Sequence, residues 1–358
     1  MARKDRLESY RGKRSFDATP EPAGAVGGGA GGARFVIQEH HARRLHWDLR
    51  LERDGVLVSW ALPRGVPSDP EENRLAVHTE DHPLSYIDFH GEIPSGQYGA
   101  GTMEIWDAGT YEAEKFEDAK VVVTLSGEKV RGRYALFRTR GRDWMIHRMD
   151  PAPEGWEPLP RDLRPMQARA GKQVPRKEAE WAFEIRWAGL RALAFCDPGH
   201  LELVTADGEE VTRAFPEVRG VLEQLHGRPA LLDGVVVAFG EGGNPDSTRL
   251  QRRINAESDS QIRRLRGSTP ATYVAFDLLH LDGEPLVNRP YEERRLLLDD
   301  LGLAGEAWQA PGYHRGDGRA FRDATAERGL PGVVAKRLSS VYAPGRLSGD
   351  WRALGSTG

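Results

Sequence analysis

The stretch FVIQEHHARRLHWDLRLER, residues 35 to 53, decides the fold of the first part of the chain. Within it, LHWDLRLE alternates polar and apolar residues with the period of two that is typical of a half-buried β-strand. His46, Asp48 and Arg50 are therefore expected on one face of this strand. His40 is expected on the loop that precedes the strand, from which it can fold back toward the same face.

These four side chains predict a metal site beside a phosphate-binding arginine. The imidazoles of His40 and His46 and the carboxylate of Asp48 suit Mn²⁺ or Zn²⁺, and three protein ligands leave positions for water or a phosphate oxygen. The planar guanidinium of Arg50 suits a neighbouring phosphate. The structural alternative is a polar strand face on which the histidines have no function. This alternative would explain a lone His-x-Asp pair, but it explains the combination of all four residues less well.

The composition sets bounds on the class of protein. A chain of 358 residues predicts two domains. It has no apolar run that could span a bilayer, and its N-terminus lacks the apolar segment of a secretory signal, so no membrane contact is expected. A single cysteine, Cys196, excludes an internal disulfide and favours a cytoplasmic location. Residues 1–50 hold ten Lys and Arg against six Asp and Glu, which weakly favours a nucleic-acid partner.

Composition and patterning divide the chain into four parts. Residues 1–34 predict a flexible, basic and Gly-rich arm. In 35–152, short alternating segments separated by turn signals predict a small all-β barrel or sandwich. Residues 153–180, rich in Pro and charge, predict a linker. Residues 181–358 alternate strand and helix patterns, which predicts an α+β domain.

A second group of polar residues lies in RLAVHTEDHPLSYIDFHGEIPSGQYGAG, residues 74 to 101. His82 and Tyr86 are candidates to contact a scissile phosphate, with His82 as a charge-stabilising donor or a general acid. The His78–His82 spacing is by itself weak support for function. The segment GQYGAG lacks a following helix and predicts a tight turn rather than a phosphate-binding loop.

Residues 7–150 resemble the 3'-phosphoesterase module of bacterial non-homologous end-joining ligase D. The resemblance rests on LESYRGKRSFDATPEP, on the opening stretch and on LAVHTEDHPLSYIDFHGEIPSGQYGAGT and GRYALFRTRGRDWMIHRMD. It implies a manganese-binding β-barrel that removes a terminal 3' ribonucleoside and then the 3' phosphate from DNA. It further implies His40, His46 and Asp48 as metal ligands, Arg50, His82 and Tyr86 as phosphate-handling or catalytic residues, and Arg14, Glu21, Gln38 and Glu80 as supporting residues.

The chain departs from the pattern of this module at four positions. Ser15 follows Arg14 where the module has an acidic residue, and this loss is expected to weaken phosphate removal without touching the metal ligands. His41 and Ser95 stand where Asp and Glu are usual, and Arg64 stands where Lys is common.

The second half resembles the nucleotidyltransferase domain of ATP-dependent DNA ligases, an ATP-grasp-like fold. The resemblance rests on FEIRWAGLRALAF, LLDGVVVAF, LQRRI, VAFDLLHLDG and GVVAKRLSSVYAPGRLSGDW. The family's lysine nucleophile lies in K-x-D-G-x-R, and here Arg186 takes its position. Because arginine stays protonated, it cannot form the lysyl-AMP adduct, so covalent use of ATP is not expected.

Three further positions agree with a degenerate ligase site. Ala188, Val235 and Pro331 replace acidic residues of the family's motifs, and an OB-fold is not expected. The residues Arg191, Phe276 and Lys336 are kept. They are expected either to retain some nucleotide or DNA binding or to persist only as residues of the fold.

Three functions remain open at this stage. The favoured one is a metal-dependent enzyme that processes DNA 3' ends, at primer–templates or double-strand breaks, and carries an inactive ligase-like domain. The alternative is a non-catalytic accessory protein that binds DNA ends or recruits a separate DNA ligase, with a Ku-like protein as a further candidate partner. The third function, suggested by whole-chain similarity alone, is that of an active ATP-dependent DNA ligase. Arg186 argues against it.

Overall fold

The computed structural model describes residues 5–24, 32–240 and 242–355. These residues fall into two compact units, divided between Glu154 and Gly155, which are described separately below. Within the described residues, no helix is long and apolar enough to cross a membrane.

The first unit is a closed antiparallel β-barrel. Its strands are β1 (Arg34–His41), β2 (Leu45–Arg53), β3 (Val56–Leu62), β4 (Asn73–His78), β5 (His82–Pro83), β6 (Gly91–Ile93), β7 (Gly101–Glu117), β8 (Lys120–Gly127), β9 (Arg131–Arg140) and β10 (Asp143–Arg148). The circuit runs β1-β2-β3-β4-β10-β9-β8-β7 and closes by pairing of β7 with β1, while β5 and β6 add to β3 and β7. The predicted all-β barrel is confirmed.

The alternation of β1 and β2 divides their side chains between two surroundings. Phe35, Ile37, Trp47, Leu49 and Leu51 belong to the main apolar core of the barrel. The residues between them point to the opposite face, where a second apolar cluster contains Tyr10, Val36, Leu57, Tyr86 and Ile87. The period of two therefore places the polar site residues on a face covered by the N-terminal segment and a 3-10 helix, Leu84–Asp88.

Residues 5–24 pack against the barrel, so the prediction of a flexible arm is wrong for this part. The segment contains helix α1 (Glu8–Gly12), and both Leu7 and Tyr10 are fully buried. Apolar anchors within a polar segment were overlooked in the sequence pattern. The Gly-rich run at 25–31 lies outside the described residues.

The second unit is α+β, as predicted. Its strands are β11 (Gln167–Gly171), β12 (Trp181–Ile185), β13 (Leu190–Asp197), β14 (His200–Thr205), β15 (Ala230–Ala238), β16 (Ala271–Leu281), β17 (Glu284–Pro285), β18 (Trp308–Gln309), β19 (His314–Arg315), β20 (Gly332–Arg337) and β21 (Leu347–Gly355). Its helices are α2 (Val221–Gln224), α3 (Ser247–Ile254), α4 (Asp259–Ser268), α5 (Tyr291–Asp300) and α6 (Gly318–Glu327), with 3-10 turns at Glu178–Glu180, Thr212–Ala214 and Pro216–Gly220.

Two sheets form the frame of this unit. One has the order β11-β21-β20-β12-β19, and the other has the order β14-β13-β15-β16-β17 with β18 beside β16. Side chains from both sheets, including Phe195, Leu231 and Trp351, share one apolar cluster. Strand β11 and the buried Met166 lie inside the range predicted as linker, so the linker is shorter than 153–180.

Candidate metal and phosphate site

The hairpin formed by β1 and β2 holds all three predicted metal ligands. His40 pairs directly with His46 across the hairpin, and Gln38 pairs with Asp48. The ligand atoms of His40, His46 and Asp48 lie within 4.8 Å of one another. His40 is part of strand β1, so its predicted position on a loop is wrong; only Ala42, Arg43 and Arg44 separate the two strands.

Backbone carbonyl groups fix the tautomer of each imidazole. Nε2 of His40 donates to the carbonyl oxygen of Gly99 at 2.9 Å, and Nδ1 of His46 donates to that of Arg44 at 3.0 Å. The remaining nitrogens, Nδ1 of His40 and Nε2 of His46, lie 3.6 and 4.0 Å from Oδ2 of Asp48. Nδ1 of His40 is buried without a hydrogen-bond partner. Two ring lone pairs and a carboxylate therefore converge, as in metal sites whose histidines donate their other N–H to the protein.

Asp48 is ionised in this setting. Burial favours its neutral form, but the adjacent Arg50 and the two histidines more than offset this effect and hold the pKa of the carboxyl well below its usual range. Nη2 of Arg50 donates to Oδ2 of Asp48 at 3.0 Å. The group therefore presents a permanent anionic ligand over the working pH range.

Arg50 connects the candidate metal ligands to a second set of polar residues. It is 2% exposed, and its Nε donates to Oε1 of Gln38 at 2.6 Å. Gln38 is itself fixed by donating to the carbonyl oxygens of Tyr86 and Phe89. Nη1 of Arg50 lies 3.1 Å from Nδ1 of His82. The guanidinium is thus held in one orientation before any ligand arrives.

His82 is a neutral, buried imidazole. Burial is the main cause that lowers its pKa well below the ordinary value, and the charges of Arg50 and Arg14 lower it further. Nδ1 donates to the carbonyl oxygen of Glu80 at 2.8 Å, which leaves Nε2 to accept from Nη2 of Arg14 at 3.3 Å. As the residues stand, His82 suits hydrogen bonding better than proton donation.

The other predicted supporting residues form a buried ion-pair network around His82. Arg14 contacts Glu21 at 2.8 Å and Glu80 at 3.1 Å, and the hydroxyl of Tyr86 donates to Glu21 at 2.8 Å. Burial raises the pKa of Tyr86, so its hydroxyl keeps its proton. The structure brings Arg14, Glu21, Gln38, Glu80, His82 and Tyr86 together with the candidate metal ligands.

Two neighbours of this network were missed in the sequence. Nζ of Lys13 lies 2.8 Å from Glu80, and the ring of Tyr10 lies 3.9 Å from the guanidinium of Arg14 and 5.0 Å from the ring of His82. The available signal was the spacing of four residues between Tyr10, which lies on helix α1, and Arg14, which lies two residues after its end.

His78 is not part of the site. Its ring stacks on Trp144 and meets Trp60 edge-on, at centroid distances of 5.7 and 5.3 Å. It lines a cavity of about 600 Å³ together with both tryptophans. Of the four departures from the phosphoesterase pattern, Ser15 is exposed, Ser95 is exposed, His41 pairs with Glu39 and Arg64 pairs with Glu72.

The second unit has a cavity of about 210 Å³ at the degenerate ligase motif, lined by Arg186, Arg191, Val235, Phe276 and Lys336 among others. Arg186 is exposed, whereas Lys336 is 1% exposed, with Nζ 2.8 Å from Oε2 of Glu184. Burial lowers the pKa of Lys336 against the opposing effect of Glu184. Lys336 is therefore held in an ion pair with Glu184. Its Nζ also lies 4.2 Å from the ring centroid of Phe276 and 4.3 Å from that of Trp351.

The other two degenerate positions lie elsewhere. Ala188 and Pro331 line a separate cavity of about 350 Å³ with Asn244 and Gly329. Arg191 forms a bidentate ion pair with the buried Asp233. Asp233 also accepts a hydrogen bond from the hydroxyl of Tyr342 at 2.6 Å. Asp233 outweighs the effect of burial and raises the pKa of Arg191.

The first unit is a β-barrel with a buried histidine, carboxylate and arginine site, and the second is a two-sheet unit of the nucleotidyltransferase type. Two family models match the chain: the DNA ligase D 3'-phosphoesterase domain over residues 38–138, and the ATP dependent DNA ligase domain over residues 165–353. The chain belongs to the DNA ligase D family, with a phosphoesterase domain followed by an ATP-dependent ligase domain.

Relatives with the same arrangement come from several bacteria. The multifunctional non-homologous end joining protein LigD of Mycolicibacterium smegmatis is 42% identical over 97% of this chain and 45% of its own length. The LigD of Pseudomonas aeruginosa is 34% identical over 97% of this chain and 47% of its own length. The chain thus spans about half the length of these relatives. The solved structure of mycobacterial DNA ligase D complexed with ATP and MES matches 54% of this chain and 60% of that chain, with 33% identity and a TM-score of 0.47.

Proposed function

We propose that the first unit is a metal-dependent phosphoesterase that removes a 3' ribonucleoside or a 3' phosphate from DNA ends during repair by end joining. The observation that carries the proposal is the convergence of the His40 and His46 lone pairs on Asp48, with Arg50 beside them. Every one of these side chains is oriented by a further hydrogen bond or ion pair, which is the preorganisation that phosphoryl chemistry requires.

The residues fit a divalent cation such as Mn²⁺, and Zn²⁺ suits the same mixed nitrogen and oxygen ligands. His40, His46 and Asp48 would hold it, and a cation would satisfy the buried Nδ1 of His40, which has no hydrogen-bond partner in the protein. A bound cation supplies a Lewis acid for a phosphoryl oxygen and lowers the pKa of a water molecule.

Arg50 and His82 then act directly on the phosphate. Arg50 stabilises negative charge that develops on the phosphoryl oxygens, and the buried surroundings strengthen this interaction relative to water. His82 donates to the phosphate only after one ring nitrogen releases its present partner, because Nδ1 donates to Glu80 and Nε2 accepts from Arg14. The hydroxyl of Tyr86 donates to Glu21, which fixes the Tyr86 ring. The guanidinium of Arg50 lies against this ring, 4.8 Å from its centroid.

The test compares the full chain with His46→Ala and His90→Ala on duplexes whose primer ends in a 3' ribonucleotide or a 3' phosphate. Mn²⁺ is present throughout. The wild type and His90→Ala, an exposed histidine of the same unit, are expected to shorten or dephosphorylate the primer. His46→Ala is expected to lose at least a hundredfold in rate because one ligand is gone. Equal rates for His46→Ala and the wild type would refute the proposal.

The alternative is a non-catalytic protein that binds DNA ends or recruits a separate ligase or a Ku-like protein. The exposed Ser15, in place of an acid, is the observation that favours it. An intact 3' end after incubation of the wild type with Mn²⁺ or Zn²⁺, together with retained DNA binding, would support this alternative.

The proposal includes an inactive ligase-like unit in the same cytoplasmic repair protein. Arg186 cannot serve as the nucleophile, and Lys336, the only lysine that lines its cavity among the described residues, is already paired with Glu184. Arg191, Phe276 and Lys336 retain positions for non-covalent nucleotide contact. Incubation with α-labelled ATP and Mg²⁺ is expected to give no covalent adenylate, and a labelled band at the protein's mass would contradict this.

A further inference from the structure

Tyr98 is an exposed aromatic residue beside the candidate site. It is 47% exposed, whereas every other Phe, Trp and Tyr side chain in residues 5–24, 32–240 and 242–355 is buried or half-buried. A single exposed apolar residue is common on protein surfaces and needs no functional explanation. The position of Tyr98 and the contacts of its ring are what distinguish it.

Tyr98 adjoins both the candidate metal ligands and the ion-pair network around His82. The residue that follows it, Gly99, accepts a hydrogen bond from Nε2 of His40 through its carbonyl oxygen at 2.9 Å. On the other side, the guanidinium of Arg14 lies 5.5 Å from the centroid of the Tyr98 ring and also contacts Nε2 of His82 at 3.3 Å. The ring therefore lies next to the two groups of residues that would meet the substrate phosphate.

The Tyr98 ring is held in place by side-chain and backbone contacts. Nζ of Lys13 donates to its hydroxyl oxygen at 3.3 Å and lies 4.7 Å from the ring centroid. Lys13 is itself paired with the buried carboxylate of Glu80 at 2.8 Å. The backbone amides of Gln97 and Ala100 close two successive turns around Tyr98. A ligand that meets this ring consequently has little side-chain freedom to remove.

A purely structural role explains the contacts of Tyr98 but not its exposure. If Tyr98 served only to anchor Lys13, its hydroxyl group would be sufficient, and the ring would gain free energy by packing against the barrel. Instead, the hydroxyl contacts the protein while almost half of the residue stays accessible to solvent.

An exposed aromatic ring beside a phosphate site suits a nucleobase. Every base has a π-face, so an aromatic side chain can stack on it whatever the base is. This tolerance matches a reaction that takes place at the end of a strand and not at a particular sequence. The adjoining charges of Lys13 and Arg14 favour an anionic ligand over an apolar one.

We infer that Tyr98 stacks on the nucleobase of the 3'-terminal nucleotide and thereby positions the terminal phosphate beside Arg50. The inference rests on the proposed function of the first unit, and it adds a contact with the base that the metal ligands and Arg50 do not supply. Because the base remains stacked before and during the reaction, the contact lowers KM and leaves kcat unaltered.

The test combines two forms of the full chain with two substrates, in the presence of Mn²⁺. The wild type and Tyr98→Leu act on duplexes whose 3' phosphate is carried by either an ordinary or an abasic terminal nucleotide. On the ordinary end, Tyr98→Leu is expected to raise KM about tenfold with kcat unchanged. On the abasic end, the two proteins are expected to have equal KM values, because the base that Tyr98 contacts is missing.

Two further variants separate stacking from a structural role. Tyr98→Phe keeps the ring but loses the hydrogen bond with Nζ of Lys13, and it is expected to retain the KM of the wild type. Leu75→Ala removes another exposed apolar side chain of the same unit and is the matched control. It is expected to leave kcat and KM unchanged on both substrates.

Three outcomes would overturn the inference. They are an equal rise in KM on both ends for Tyr98→Leu; a rise for Tyr98→Phe as large as that for Tyr98→Leu; and a fall in kcat for Tyr98→Leu, which would indicate that Gly99 and His40 have moved.

Failure of the proposed function gives a different result, because the wild type would then remove no phosphate from either end. In that case the affinities of the same proteins for short duplexes with the same two ends are measured in EDTA by fluorescence anisotropy. Weaker binding of the ordinary end by Tyr98→Leu, with equal binding of the abasic end, would support stacking. Equal affinities of both proteins for the ordinary end would refute it.

Discussion

At the scale of single residues, His78 and His82 are four positions apart but differ in their surroundings. His82 faces Arg14 and Arg50, whereas His78 lies against Trp60 and Trp144. Burial is the main cause that lowers the pKa of both imidazoles. Only His82 belongs to the candidate site.

His78 is expected to make the folded protein sensitive to acid. Burial lowers its pKa, the positive charges of Arg142, Arg138 and Arg6 add to this effect, and Asp81 opposes it. Because the unfolded chain binds the proton first, the free energy of unfolding decreases as pH falls below about 6.5. Above that pH the imidazole is neutral in both states and contributes no pH dependence.

The variant His78→Phe keeps an aromatic ring and removes the titration. It is expected to reduce the pH dependence of the free energy of unfolding below pH 6.5, by at most about 1.4 kcal/mol per pH unit. His82 and His280, whose pKa values are also lowered, will leave part of the dependence in place. Denaturant unfolding followed by tryptophan fluorescence at several pH values checks this. His90→Phe at an exposed site is the control, and an unaltered slope in His78→Phe would count against the assignment.

The residue types of the site could be predicted from the sequence, but their partners could not. The period of two placed His46, Asp48 and Arg50 on one face. The tautomers of His40 and His46 depend on the carbonyl groups of Gly99 and Arg44, and a backbone carbonyl has no signature in the sequence. The roles of these residues remain predictions.

At the scale of elements, the tip of the β1–β2 hairpin is supported by the beginning of β7. Gly101 has φ +145°, and a Cβ there would lie 2.4 Å from the carbonyl oxygen of His41 and 2.9 Å from Cα of Ala42. The absence of a side chain at 101 therefore lets β7 approach the hairpin beside His40. The turn in GQYGAG could be predicted from the sequence, but the hairpin against which it packs could not.

Gly101→Ala is expected to weaken Mn²⁺ binding at least tenfold, because a displaced hairpin moves His40 and His46 without changing a ligand. Calorimetric titration of the full chain with Mn²⁺ measures the effect. The matched control is Gly96→Ala, whose φ of +90° brings similar backbone strain but whose Cβ would meet no atom within 4 Å. Equal losses in both variants would show that strain in the turn, and not the clash with the hairpin, is responsible.

The N-terminal segment shows why some element boundaries could not be predicted from the sequence. Leu7 and Tyr10 are isolated apolar residues in a polar segment, and no period marks them as anchors. Tyr10 is buried against Tyr86 and its neighbours, and Leu7 is buried in the main apolar core of the barrel, so both contacts are distant in sequence. The strand succession of the barrel and the α+β alternation of the second unit were visible because they repeat over many residues.

At the scale of the whole molecule, the proposed function assigns the reaction to the first unit. The candidate metal ligands and Arg50 lie there, whereas the cavity of the second unit holds Arg186 where the family has its lysine nucleophile. Contacts made equally in the ground state and the transition state lower KM without raising kcat, whereas contacts to the reacting phosphate raise kcat.

Steady-state kinetics of 3' phosphate removal should therefore separate the units. Arg50→Gln is expected to lower kcat about a hundredfold, because the charge beside Asp48 that would stabilise the reacting phosphate is lost. The matched control Arg186→Gln removes an exposed arginine from the cavity of the second unit and is expected to leave both kcat and KM unchanged. An equal fall in kcat for Arg50→Gln and Arg186→Gln would mean that the reaction does not belong to the site of the first unit.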